Sequence, residues 1–144
     1  MKNRKYFENM NLIDLVSEMH LELRNRVNRI WNENNVEKIN HTESHIFGML
    51  AMEPTTVAEL SRNLNISRQA THKCVQNLIE RGYLYAKSKE GNSKEKIICL
   101  TDKGIECNDE MLKIKNDLER KIGNKIGESA VEIMKLLLKK EWID

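Results

Sequence analysis

Proline occurs once in these 144 residues, at Pro54, where it marks a boundary between helices because the residue before it is pushed out of helical geometry. There is no internal repeat, low-complexity tract or flexible linker. Glycine occurs six times and never as a phosphate-cradling loop. Aromatic residues make up 5% of the chain and charged residues 32%, so part of its apolar surface is expected to be buried between subunits. A membrane helix would need about 18 consecutive apolar residues, and the sequence has no such run. The basic start, "MKNRKYFENMNLIDL", lacks the apolar segment of an export signal. The three cysteines, Cys74, Cys99 and Cys107, are odd in number and lack C-x-x-C spacing. That pattern argues against a disulfide or zinc framework and for a reduced, cytoplasmic setting.

Catalytic patterns are missing too. No Ser-His-Asp-like set falls on predicted strand ends, and no acid pair has the spacing of a cleft, so the chain is not expected to be an enzyme. The four histidines are His20, His41, His45 and His72. His41 and His45 stand four apart, but Thr42 is expected to cap the helix between them, which takes His41 off the helical face. Neither has a cysteine nearby to complete a site, so no metal and no cofactor are expected. Cys74 and Cys99 read as small buried hydrophobes. Cys107 lies in the first turns of a helix, where a thiol pKa can be lowered, and is the one candidate for thiol chemistry.

What the chain does have is a local concentration of positive charge. Residues 61–96 carry eight Lys or Arg against three acids, a net of +5, whereas residues 1–60 come to −2 and residues 97–144 to −1. A basic central third is the footprint expected of a polyanion partner, and equally of a solvated face with uneven charge.

The hydrophobic pattern predicts a mainly α chain of about six helices with one small β-hairpin. Leu12, Leu15, Val16, Met19, Leu23, Val27, Ile30 and Trp31 give a long amphipathic helix over 10–33. A second helix is expected from Thr42 to just before Pro54, and a short third one begins where Thr56 and Glu59 have capping-box spacing. Asn65 suits a left-handed helix ending, and Ser67 caps the next helix, "SRQATHKCVQNLIERG". The two make a helix-turn-helix arrangement. "YLYAKS" and "KEKIICL" then read as strands around a Gly91-Asn92 turn. "LTDKG" opens a further helix at Thr101, with a stripe of Met111, Ile114, Leu118 and Ile122 that Gly123 and Gly127 end. A final short helix carries Ala130, Val131, Ile133, Met134, Leu137 and Leu138.

In the quoted helix, Ala70, Cys74, Leu78 and Ile79 are expected to pack, with Val75 beside them. Ser67, Arg68, Gln69, Thr71, His72, Lys73 and Gln76 remain to be presented. These residue types suit base edges and phosphates: arginine for guanine, glutamine for adenine, hydroxyls for phosphate oxygens. No acid lies between Ser67 and Glu80 to repel a phosphate. Lys87, Lys89, Lys94 and Lys96 flank the hairpin tip and would make a basic ribbon beside that helix.

At this point the chain resembles the MarR family of winged helix-turn-helix transcription regulators. The resemblance runs through nearly the whole chain and is most specific in "TTVAELSRNLNISRQATHKCVQNLIERGYL" followed by "LTDKG". It implies a single domain over 1–144, with a DNA-binding winged helix-turn-helix at 36–101. The helices of 5–34 and 102–142 would form a dimerisation region. It also implies a homodimer on a pseudo-palindromic operator in double-stranded DNA, acting as a repressor, and for some members release by a small, often aromatic, ligand. Trp31, Phe47 and Met49 are the weak candidates for lining such a pocket, and each reads more readily as core. The wing tip departs from the family pattern: Asn92-Ser93-Lys94 stands where an Asp-x-Arg pair is common. Lysine lacks the planar fork that suits a narrow minor groove, so wing-tip specificity is in doubt. The other reading is a winged-helix binding module whose basic face meets a protein or RNA.

Overall fold

Asparagine, serine and threonine begin five of the six helices in the computed structural model, which describes residues 4–144. After a 3-10 turn at Arg4–Tyr6, helix α1 (Leu12–Asn34) starts where the Asn11 side chain accepts the Asp14 amide. Helix α2 (His41–Met52) starts on a reciprocal capping box: Asn40 accepts the Glu43 amide at 2.8 Å, and Glu43 accepts the Asn40 amide at 2.9 Å. This replaces the expected Thr42 cap, and the reason is local. A cap at Thr42 would put His45 at the third helical position, whereas Asn40 puts Glu43 there, where a carboxylate can reach back.

Thr56 accepts the Glu59 amide to open α3 (Val57–Leu64), and the Glu59 carboxylate pairs with Arg62. Asn65 ends α3 in the left-handed conformation at φ 54°, as expected, and Ser67 caps α4 (Arg68–Glu80) by accepting the Ala70 amide.

Strands β1 (Leu84–Lys89) and β2 (Asn92–Leu100) pair antiparallel, with Leu84 opposite Leu100 and Ser88 opposite Lys96. The register then jumps, so that Lys89 faces Asn92 across the Glu90-Gly91 turn. Thr55 adds a backbone bridge to Ile98, which ties the α2–α3 connector to the hairpin base. Thr101 caps α5 (Asp102–Ile126), which runs through Gly123 and stops only at Gly127, followed by α6 (Glu128–Leu138).

The core lies under α2, α3 and α4, closed by the hairpin base and the start of α5. It holds Ile46, Phe47, Leu50, Leu60, Val75, Leu78, Tyr83, Leu84, Ile98, Cys107 and Met111. Fully burying such side chains contributes about 1.5–3 kcal/mol each, so this half of the chain carries most of the fold's stability. The ends are different: Trp31 is the buried residue of α1 and Val131 that of α6. Among the described residues no helix is long and apolar enough to cross a membrane.

Candidate nucleic-acid interface

The quoted helix is held by Thr71, Val75 and Leu78, one turn apart and each fully buried. Ala70 is exposed instead. The inward face is therefore turned by one residue from the expected one, and Thr71 is not available to a ligand. Its hydroxyl donates to the Ser67 carbonyl at 2.9 Å, one turn back. That bond satisfies the only polar group of a side chain otherwise the size of valine, so its burial leaves no hydroxyl unpaired.

Arg68, Gln69, His72, Lys73 and Gln76 are all exposed, as is Ser67, whose hydroxyl is occupied by the cap. The helix thus presents basic and amide side chains at its N-terminal end, together with the positive end of its dipole.

On the hairpin, Lys87, Lys89, Lys94 and Lys96 are exposed, but they are not equivalent. Lys89 pairs with Glu95 at 3.4 Å, and Lys96 donates to the Ser88 hydroxyl at 3.0 Å. The Asn92 side chain accepts the backbone amides of Lys94 and Glu95, so it shapes the tip from within. Of the eight basic residues in 61–96, three face carboxylates: Arg62 with Glu59, Lys89 with Glu95, and Arg81 with Glu37 and Glu43. The positive surface is consequently carried by Arg68, Lys73, Lys87, Lys94 and Lys96.

Arg81 is the residue whose role the sequence did not reveal beyond ending α4. Its guanidinium spans Glu37 Oε1 at 3.2 Å, Glu43 Oε2 at 2.5 Å, Asn77 Oδ1 at 3.2 Å and the Lys38 carbonyl at 2.6 Å. Lys103 Nζ in turn sits 3.3 Å from Glu37 Oε2 and donates to the Arg81 carbonyl at 2.7 Å. Hydrogen bonding from Tyr83, with Arg81 and Lys103, holds the Glu37 carboxyl below its usual range despite some burial. Burial and the same carboxylate push the Tyr83 phenol well up, so it stays protonated and donates. The only signal in the sequence was the pair of acids at Glu37 and Glu43, which lie 44 and 38 positions away.

Trp31 and Phe47 are packed core, the first donating its indole N–H to the Glu37 carbonyl and the second lying 5.4 Å from the Tyr83 ring. Met49 sits at the core's edge, and none of the three lines the shallow hollow of about 500 Å³ that runs along α5 from Asp109 to Arg120. They serve packing, as residues on the inner stripe of a helix do. Cys107 is buried, and burial, then the nearby Glu110 and Glu37, push its thiol up to about 12. It is therefore no reactive thiolate. The advantage of an early helical position is outweighed by loss of water.

His41 does lie on α2, contrary to expectation, and its ring sits 5.2 Å from that of His20 and 6.0 Å from that of His45. Among the described residues no group of three or more His, Cys, Asp or Glu is arranged to hold a metal ion.

Residues 38–94 match the family model described as MarR family. Over 106 residues the chain is 26% identical to the HTH-type transcriptional regulator TcaR of Staphylococcus aureus, covering 72% of this chain and 70% of that one. Its fold superposes on apo MarR from E. coli with a TM-score of 0.76 at 16% identity, covering 92% of this chain and 97% of MarR. It superposes on the S. aureus MepR–DNA complex with a TM-score of 0.74 at 18% identity, covering 90% and 95%.

Proposed function

Through residues 38–94 this chain belongs to the MarR family, and on that premise we propose that it is a DNA-binding transcription regulator that recognises a pseudo-palindromic operator as a homodimer. The observation that carries the reading is the exposed, acid-free front of α4, where Arg68, Gln69, His72, Lys73 and Gln76 surround a helix N-terminus. The likeness of fold to a protein solved as a complex with DNA supports this reading, in which a helix-turn-helix docks with α4 in the major groove and the hairpin beside it on the backbone. In this arrangement residues 36–101 read DNA, and 5–34 and 102–142 join the two copies.

The dimer is supported by apolar side chains that the single chain leaves in water. Leu12, Ile13, Val16 and Met19 of α1, and Ile133, Leu136, Leu137 and Leu138 of α6, are all exposed. A monomeric protein rarely leaves so much apolar surface at both ends. Repression follows if the dimer occupies a promoter. Trp31 and Phe47 are packed in the core, so an aromatic effector that met them would have to displace that packing.

Selection of duplexes from a random pool, followed by gel shifts in a salt series, tests the reading. The expected result is a preferred palindromic site bound at least about 10³-fold more tightly than random DNA. Replacing Gln69, near the helix N-terminus, by Ala should change the base preferred at one position in each half-site, while Gln76→Ala does less. No preference over random duplex at moderate salt would overturn it, as would an unchanged profile for Gln69→Ala the assignment of the reading face.

A further inference from the structure

Packing of Thr71, Val75 and Leu78 fixes which face of α4 points inward, but van der Waals contact is not directional. Directional bonds are needed to fix its angle, and they are concentrated at its C-terminal end. The Arg81 guanidinium is engaged along its whole edge by acceptors from two other parts of the chain, the connector at 37–38 and the first turn of α2, as well as by Asn77 on α4 itself. A planar fork held at several points resists rotation in a way a point charge cannot.

The circuit closes on itself. Arg81 holds one Glu37 oxygen, Lys103 holds the other, and Lys103 returns to the Arg81 carbonyl. Lys103 belongs to the first turn of α5 and also lies 4.3 Å over the Tyr83 ring. The Glu37 carbonyl accepts the indole N–H of Trp31, near the end of α1. Glu43 does double duty, since one oxygen caps α2 and the other meets Arg81. The end of the reading helix is thereby bonded to α5, which leads on to the exposed apolar face of α6, and through the Glu37 backbone to α1, whose far portion carries the other.

We propose that Arg81 is a positioning residue that, through Glu37, Glu43 and Lys103, sets the angle of the reading helix against the helices joining the two copies, and so the half-site spacing the dimer accepts. The proposal rests on the regulator reading above. It assigns Arg81, counted by charge alone as an attractor of phosphate, to a role in which it touches no DNA.

The test uses the full-length chain and the palindromic duplex selected by the unsubstituted protein, with one or two base pairs inserted or deleted between the half-sites. The unsubstituted protein should lose roughly 10²-fold in affinity at the wrong spacing, because the second helix no longer meets its groove. Arg81→Met should weaken binding at the native spacing by roughly tenfold while reducing the spacing penalty to a few-fold, with the base preference inside each half-site retained. Glu37→Gln is the second variant, since Glu37 is half-exposed and thermal melting should show the fold intact. Removing its negative charge should strengthen phosphate attraction, yet the spacing penalty should still shrink.

Equal loss at every spacing in Arg81→Met, with an undiminished penalty in Glu37→Gln, would reduce the network to a stabilising one and overturn the proposal. Indifference of the unsubstituted dimer to spacing would also overturn it while leaving the regulator reading intact. A chain that selects no sequence at all would sink the regulator reading first, and this one with it.

Discussion

Gly104 sits in the first turn of α5 where a side chain has no room. A Cβ built there would lie 2.2 Å from the Tyr83 carbonyl oxygen, which already accepts the Thr101 amide. The Leu100 methyl at 3.0 Å could turn aside, but the Tyr83 backbone could not. Gly104→Ala should therefore destabilise the fold by about 3 kcal/mol, an overpacking cost at the upper end of its usual range. Chemical denaturation monitored by circular dichroism would check it, and a loss below about 0.5 kcal/mol would mean the hairpin–α5 junction can shift.

His41 offers a different kind of residue-scale prediction. Burial first, then Arg24, His20, His45 and Lys115, hold its imidazole below the usual 6.5. A folded pKa below the unfolded one means the unfolded chain binds more protons in between, so this stability is full above about 6.5 and is lost as pH falls from there through the lower folded pKa. His41→Gln should flatten the fall in melting temperature on the acid side of neutrality. A slope identical to that of the unsubstituted protein would place the acid sensitivity elsewhere.

At the scale of elements, the hairpin and the reading helix divide the work. Lys94 lies next to the tip turn, with its backbone amide held by Asn92 and its side chain exposed. An ammonium there can meet a phosphate but lacks a fork to read a groove. Lys94→Ala should weaken binding about equally on all DNA sequences and lower the slope of log affinity against log salt by about 1. A loss confined to particular flanking sequences would show that the tip reads bases after all.

The elements themselves were largely legible because their signals are local. Thr56, Ser67 and Thr101 each cap the helix expected of them, and Asn65 takes the left-handed turn. Where the reading slipped, competing local choices were close in energy. Asn40 outdid Thr42 through Glu43, and Thr71 took the inner face in place of Ala70 because it shares that face with Val75 and Leu78, its hydroxyl being satisfied one turn back. The Arg81 network was not legible, since its carboxylate partners, in the 37–38 connector and the first turn of α2, are brought to it only by the fold. For the same reason net charge overstated the surface that Arg62, Arg81 and Lys89 leave free.

For the whole molecule, the decisive asymmetry is between a well-filled centre and apolar ends. Ile13 is 77% exposed and Leu138 62%, while Phe47 and Leu60 are 0% exposed. In an isolated chain, charging a residue already in water cannot disturb the core. Replacing both Ile133 and Leu137, one turn apart on α6, by Asp should therefore leave a monomer as stable as before, or more soluble. If instead these residues meet a second copy, the double variant buries two charges without partners and the copies separate. Sedimentation velocity should then show a monomer where the unsubstituted chain shows a dimer, and the melting temperature should lose its dependence on protein concentration. DNA binding follows from the same linkage. One copy engages one half-site, so affinity for the palindrome should fall by roughly 10²–10⁴, towards that for a half-site alone, with the base preference of α4 retained. A double variant that stays dimeric and binds the palindrome undiminished would place the contact between copies on another surface.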